Sequence, residues 1–370
     1  MRVYTFPFDR IAKKGCNRLS SIMQISLEIV LTQTMPPVEF GFIDHTELRP
    51  GVALDLLFRE RLEMVVCVEA AGFVRYNTTE HHLSRLDATP SPGLFLAAAA
   101  QRTSRIRLAS LVHIVPLYHP LRLAEELIML DGLTGGRLDV GVGKGISPPE
   151  HRLFGSDPET ARARFEKQLD EVVLILEGRD YQEAPIPYRP IQHPYPPLWY
   201  AGNAVYAGER NMNTIVAGPL DILVTLAERF RELIAARANP ERCLNGNSSP
   251  TIGFQRHVYV DTDGERARKR AVESWSKYHD NLWTHFNRLG SSAPNNPTVD
   301  GDGSKALELG MIAARSPEEV AEQLSREIDA SGIRYMIGAF CWGNIDHHEA
   351  LASIERFSSD VIPLVRAAVG

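Results

Sequence analysis

The chain has 370 residues, 44% of them apolar, and a formal charge of −6. That length supports one large domain or two ordinary ones, with enough apolar residues for a sizeable core. The negative charge argues against a nucleic-acid binder driven by phosphate attraction, and no apolar run approaches the ~20 residues of a membrane span.

Residues 1–35 differ from the rest. They carry Arg2, Arg10, Lys13, Lys14 and Arg18 against only Asp9 and Glu28. A basic start before an apolar stretch has some character of a signal peptide. Gln24 and Glu28 interrupt that stretch, however, and no A-x-A site follows. Residues 1–35 are therefore expected to be a disordered or non-native extension, and 36–370 the folded domain. Cys16, Cys67, Cys243 and Cys341 lack CxxC spacing, which fits reduced thiols in a cytoplasmic protein.

The first strand is expected at Glu39–Asp44, followed by a helix over Ala53–Ala71 and a second strand over Phe73–Thr79. Glu80-His81-His82 stands at the C-terminal end of that strand. An alanine-rich helix (Thr89–Arg102) leads to Ile106–Val115, whose near-continuous apolar character fits a parallel strand covered on both faces. After His119-Pro120, Leu123, Leu127 and Leu130 mark one buried helical face. A strand over Arg137–Val142 ends in Gly143-Lys144-Gly145. A charged helix (Glu159–Leu176), a proline-rich loop (Pro185–Pro197) and short strands at Leu198–Ala201 and Ile215–Ala217 follow. Then come a helix (Leu220–Arg237), a strand (Thr251–Val260) and a helix (Asp263–Trp283). Residues 289–304 read as a flexible surface excursion or lid. Ser316-Pro317 opens another helix, Ile333–Phe340 is the last strand, and Ala350–Ala368 closes the chain.

Eight strands alternating with helices imply a parallel sheet and, over this length, an α/β fold of the (β/α)8 TIM-barrel type with insertions; a doubly wound sheet is the alternative. In a barrel, function gathers at the C-terminal strand ends. That rule selects Asp44-His45, Glu80-His81-His82, the region after His113, Gly143-Lys144-Gly145, Gly202-Asn203 and Cys341-Trp342.

Gly141-Val-Gly-Lys-Gly145 is not a Walker A loop, because Leu138 occupies the first glycine position and Gly145 replaces Ser/Thr. It is a poor dinucleotide fingerprint, because Ser147-Pro148-Pro149 follows where a helix should start. What remains is a flexible backbone carrying one ammonium, suited either to an anionic ligand or to a plain turn with a solvated lysine. His81 and His82 must point apart on an extended segment, so one histidine serves a site more readily than two. Imidazole suits proton transfer near neutral pH. No HxH or HExxH spacing supports a metal. Arg162, near a helix N-terminus, either meets an anion or pairs with Glu166 four residues on. Cys341-Trp342 either shapes a pocket or fills core.

Eight ordered blocks carry a family resemblance over roughly residues 38–366. They begin with FGFIDH, EHH and HPLRLAEELIMLDGLTGGRLDVGVGKG. They continue through RLFGSDPETARARFEKQLDEV, PPLWYAGN and RHVYVDTDGERAR to SPEEVAEQLSREIDASGI and ALASIERFSSDVIP. The chain resembles the bacterial-luciferase-like flavin monooxygenases. The resemblance implies a luciferase-like barrel that binds reduced FMN at its C-terminal face and uses O2 to oxygenate a small, apolar organic substrate. It implies a separate flavin reductase and a homodimer or higher oligomer. It gives His81 proton transfer beside the flavin, Leu111-Val112 the backbone against the isoalloxazine, and Gly143, Lys144 and Ile146 the strand-end loop near the phosphate. It makes Arg162 a second phosphate cation and Gly202-Asn203 the phosphate cradle. Lys144 replaces the family's usual arginine, Asn203-Ala-Val lacks the usual hydroxyls, and residues 211–214 replace a small-residue turn. F420-dependent hydride transfer on the same fold and a non-catalytic flavin-binding subunit are the alternatives.

Overall fold

The computed structural model describes residues 36–236, 244, 249–287 and 301–370. The extension 1–35 and most of the excursion 289–304 lie outside the described residues. Within the unit Val38–Gly370, β1 (Glu39–Asp44), β2 (Arg75–Thr78), β3 (Arg107–Ile114) and β4 (Leu138–Gly143) pair in chain order, followed by β5 (Leu198–Ala201), β6 (Asn213–Val216) and β7 (Ile252–Val260). The last strand, β9 (Tyr335–Ala339), pairs with both β7 and β1. Every pairing is parallel, and the eight strands close into a ring. The expected (β/α)8 barrel is what the chain forms.

A ninth strand, β8 (Ile312–Arg315), escaped the sequence reading. It pairs with His257–Val260, the C-terminal half of β7. Four residues, Ile-Ala-Ala-Arg, carry little strand preference, and this strand forms because a long neighbour offers its edge. Strand β6 starts at Asn213, not Ile215. The Asn213 carboxamide donates to Leu198 O (3.1 Å) and accepts from the Thr251 amide (2.8 Å), which ties polar residues into the sheet.

The helices alternate with the strands: α1 (Leu54–Ala70), α2 (Pro92–Ala100), α3 (Pro120–Thr134), α4 (Pro148–Leu153), α5 (Ala161–Leu176), α6 (Ala204–Glu209) and α7 (Leu220–Ala235). Then follow α8 (Gly264–Asn287), α9 (Gly303–Glu308), α10 (Pro317–Ser331), α11 (His347–Arg356) and α12 (Ile362–Val369). Three differences from expectation stand out, the first two with local causes. Ser147-Pro148-Pro149 does open a helix, α4. The Ser147 hydroxyl caps the Glu150 amide, and proline suits a first turn whose N–H needs no partner. Residues 303–308 are helical, with the Asp302 carboxylate accepting from the Ser304 and Lys305 amides. The closing helix is divided by a π turn at Phe357–Val361. Helix α10 begins with a full Ser316/Glu319 capping box and ends at Gly332 in the left-handed conformation.

The N-terminal mouth of the barrel is built for cohesion. Asp139, buried, takes ion pairs from Arg75 and Arg107, and the Arg75 guanidinium lies 3.9 Å over the Trp199 ring. Buried charges persist only when paired in this way. Cys341 is buried and Trp342 is 1% exposed, its Nε1 donating to Val258 O, so this dipeptide fills core.

Candidate functional site

At the C-terminal strand ends lies a cavity of about 350 Å³. Its apolar lining comes from Ile43, Leu111, Val112, Ile114, Ile146 and Ile215, and its polar lining includes His45, Glu80, His81 and Lys144. Residues on or just after each of strands β1 to β7 contribute, so the site exists only when the ring closes.

Strand β3 supplies one wall through a defect. Its register against β4 runs Ser110↔Val140 and then His113↔Val142, so one residue is extra and Leu111-Val112 oppose Gly141. The Leu111–Val112 peptide is cis. The bulge leaves no room for a side chain at Gly141, where a Cβ would stand 2.1 Å from Ser110 O. At Gly143 it would stand 2.6 Å from Val112 Cγ2. Glu80 pins the far end: its Oε2 accepts the Ile114 amide (2.9 Å) and the Tyr118 hydroxyl (3.0 Å). Ser110 Oγ and His113 Nδ1 approach to 2.5 Å across the bulge, and burial holds His113 below the usual imidazole range.

The Glu-His-His tripeptide divides its duties. His82 turns away to Glu80 Oε1 (2.9 Å) and packs against Phe154, while its amide donates to Glu150 (2.7 Å). His81 borders the cavity, its ring 6.1 Å from that of His45. His45 lies 3.2 Å from the Thr79 hydroxyl, and burial lowers its pKa to about 4.

Lys144 follows β4, half-buried on the cavity rim, and its Nζ donates to Gly145 O (3.0 Å). Its charge, after desolvation, helps hold the neighbouring His151 below the ordinary imidazole pKa. Gly202, left-handed at φ 81° with open space beside it, lines the rim after β5. Arg162 and Asn203 stand outside the cavity lining. Asn203 caps α6 by accepting the Tyr206 amide (3.0 Å). Arg162 pairs with Glu166 (2.9 Å), lies 4.1 Å over the Tyr206 ring and bonds the cavity-lining Tyr200. Of the two expected uses of Arg162, the structure shows the pair with Glu166, on a partly exposed arginine beside the rim.

The structure therefore brings His81, Leu111, Val112, Gly143, Lys144, Ile146 and Gly202 to one cavity. Sequence reading assigned no role to Glu80 or Gln255. The polar run Gln255-Arg256-His257 between apolar residues of β7 was the available signal for Gln255. Among the described residues, no group of His, Cys, Asp and Glu could hold a metal ion, and no helix is long and apolar enough to cross a membrane.

A closed parallel barrel with an apolar, cation-rimmed cavity at its C-terminal end defines an enzyme site rather than a scaffold. The chain belongs to the luciferase-like monooxygenase family, whose pattern matches residues 38–335. Protein y4wF of Sinorhizobium fredii is 28% identical over 88% of this chain and 97% of its own length. The oxygenase component of a flavin-dependent trigonelline monooxygenase from Acinetobacter baylyi is 26% identical over 72% of each chain. The fold is shared with the oxygenating constituent of 3,6-diketocamphane monooxygenase from Pseudomonas putida, a Baeyer-Villiger enzyme solved with FMN. Its TM-score is 0.73 at 21% identity, covering 89% of this chain and 98% of that one. It is also shared with the F420-dependent tetrahydromethanopterin reductase of Methanopyrus kandleri, with a TM-score of 0.63 at 18% identity over 89% and 99%. The protein is a luciferase-like monooxygenase.

Proposed function

We propose that this enzyme uses reduced FMN, delivered by a separate reductase, and O2 to oxygenate a small apolar organic molecule. The observation that carries the reading is the asymmetry of the cavity. Its inner wall is the aliphatic Leu111-Val112 bulge, and its cations, Lys144 on the rim and Arg162 beside Tyr200, stand on the β4–β5 side. A flat, largely apolar ring with an anionic tail has this same asymmetry, so the residues fit FMN.

Leu111-Val112 would support the ring, and Lys144, Arg162 and the Gly202-Asn203 backbone would meet the phosphate. Bound reduced FMN would supply the electrons that activate O2, one oxygen atom entering the substrate and the other leaving as water. His81 stands at the cavity with a ring able to hold or move a proton at its imidazole nitrogens. The aliphatic lining keeps water from the reacting face, which limits wasteful loss of the activated oxygen. Lysine at 144 gives a point charge in place of a planar fork, so it would hold the phosphate less tightly than an arginine there.

The test is equilibrium binding of FMNH2 and reduced F420 under anaerobic conditions, followed by oxygen uptake with an FMN reductase and NADH. Micromolar FMNH2 binding with oxygen uptake supports the reading. Preference for reduced F420 without oxygen uptake replaces it with hydride transfer. Flavin binding with a biological role untouched by His81→Ala replaces it with a non-catalytic subunit.

A further inference from the structure

Three hydrogen-bonded side chains link the cavity to a buried acid. His45, just after β1, and Thr79, just after β2, both line the cavity. His45 Nδ1 lies 3.2 Å from the Thr79 hydroxyl, and that hydroxyl lies 2.5 Å from Asp87 Oδ2. Asp87 stands in the loop between β2 and α2 and is 3% exposed. Its other oxygen accepts the Thr89 amide (2.7 Å) and the Thr89 hydroxyl. With Nδ1 on Thr79, the far nitrogen of the His45 ring, Nε2, is the one left for a bound molecule.

A hydroxyl carries one proton, so this chain has a direction. Ionised Asp87 takes the Thr79 proton, Thr79 then accepts from His45 Nδ1–H, and Nε2 keeps a lone pair for the cavity. By itself this imidazole is a poor base, because burial lowers its pKa to about 4. Asp87 supplies what His45 lacks. Burial and the nearby charge of Asp44 raise its carboxyl well above the usual range, which suits a proton taken near neutral pH. The other groups at this end have their own places. Asp44 pairs with Arg61 and accepts from Tyr76, and the His81 and Tyr278 rings stand 6.1 and 5.9 Å from the His45 ring. His257, kept neutral by burial, lies 4.6 Å from Tyr278.

We propose that His45 is a second proton-transfer residue of this cavity, passing a proton from a weakly acidic substrate O–H, that of a phenol or enol, through Thr79 to Asp87. This rests on the monooxygenase reading and names its substrate class. The substrate O–H bond breaks as Nε2–H forms. The Nδ1–H bond breaks as a new Thr79 O–H forms, and the original Thr79 O–H breaks as Asp87 Oδ2–H forms. No electrons change owner. The negative charge leaves Asp87 and ends on the substrate oxygen, which makes the molecule richer in electrons and readier to accept an oxygen atom. The reverse transfers return the proton to the product. Thr79 and Asp87 act through His45, so they are positioning residues.

Nitrogen-15 NMR of the full-length protein with labelled histidines reads the direction of the chain without flavin, His45→Gln identifying the signal. At about pH 8, above the usual carboxylate range, wild-type His45 should carry its proton on Nδ1. Asp87→Asn should move it to Nε2, because the carboxamide N–H then donates to Thr79 and reverses every bond. The same tautomer in both proteins overturns the relay. Calorimetric titration of the FMN-loaded protein with phenol and anisole reads the cavity end. Phenol should bind about tenfold tighter, and Asp87→Asn, which puts an N–H in place of the lone pair, should abolish that preference. Thr79→Val should abolish it too and Thr79→Ser retain it, a pair that serves if Asp87→Asn fails to fold. Anisole binding as tightly as phenol overturns the substrate class. A tautomer that reverses in protein unable to take up FMN sinks the flavin reading and leaves the relay standing.

Discussion

Glu80 accepts the backbone amide proton of Ile114 at 2.9 Å, across 34 residues of sequence. This contact ties the second strand end to the bulge that carries Leu111-Val112, so a residue beside the expected catalytic histidine shapes the neighbouring wall of the cavity. Glu80→Gln keeps the shape but swaps one acceptor oxygen for a donor. Thermal unfolding should show a loss of about 1–3 kcal/mol, because a buried amide or hydroxyl loses its acceptor. FMN titration of the same variant should show weaker binding, since the wall is no longer fixed.

The rim cations predict a graded series. Lys144→Ala should weaken FMN binding about tenfold or more, the scale of one hydrogen bond to a charged group. Lys144→Arg should match or exceed wild type, because the planar fork suits phosphate. Arg162→Ala should weaken FMN at a stability cost under about 1 kcal/mol, as its pair with Glu166 is exposed. Flavin fluorescence titration and thermal unfolding read both quantities. A Lys144→Ala protein that binds FMN normally would remove this lysine from the site.

For His81, the expectation separates binding from turnover. His81→Asn should bind FMN within a factor of about two yet lose about 10²–10⁴ in substrate oxygenation, the range for a general acid or base. Product formation under saturating flavin is the measurement, and near-normal product would exclude the role.

Gly141 tests the bulge itself. A Cβ there would collide with Ser110 O, a backbone atom that cannot swing aside. Gly141→Ala should cost several kcal/mol, of the order of overpacking penalties, and show as a large fall in Tm. Gly143→Ala meets the Val112 side chain instead of a backbone atom, so it should cost less stability than Gly141→Ala while perturbing flavin binding.

The buried titratable groups set opposing pH slopes. Burial raises Glu47 to about 7 and lowers His45 to about 4 and His257 to about 3. Between pH 4.5 and 7 folded Glu47 holds a proton that the unfolded chain releases, so its contribution to stability falls as pH rises. Between pH 4 and 6.5 the unfolded histidines hold protons that the folded ones refuse, so their contribution falls as pH drops. Relative to wild type, Glu47→Gln should steepen the loss of stability from pH 6.5 to 4.5 by ~1.4 kcal/mol per unit, and His257→Phe should flatten it by the same amount. Urea unfolding at several pH values reads the slopes, and parallel curves for all three proteins would refute the assignment.

Much of this architecture was legible in local signals. Near-continuous apolar runs such as Ile106–Val115 mark buried parallel strands, and helical spacing such as Leu123, Leu127 and Leu130 marks the layer that covers them. Alternation of the two gives the barrel, and the barrel says which strand ends matter; that selects Glu80-His81-His82 and Gly143-Lys144-Gly145, and the family resemblance singles out His81. Strand β8 could not be, because four weakly biased residues pair only when the long edge of β7 is already there. The helix at Pro148–Leu153 was hidden by its prolines, whose place in a first turn depends on where the turn begins. The role of Glu80 was hidden for another reason. A carboxylate's role depends on which amide it reaches, and Ile114 lies 34 residues away. The sequence by itself determined the periodicities, and with them the fold class, because burial of alternating and helical faces is a local bookkeeping of apolar residues. Only the tertiary structure decided the chemistry of the cavity walls, an aliphatic bulge on β3, a cation after β4 and polar side chains after β1 and β2 and on β7, because closing the ring is what sets distant strand ends face to face.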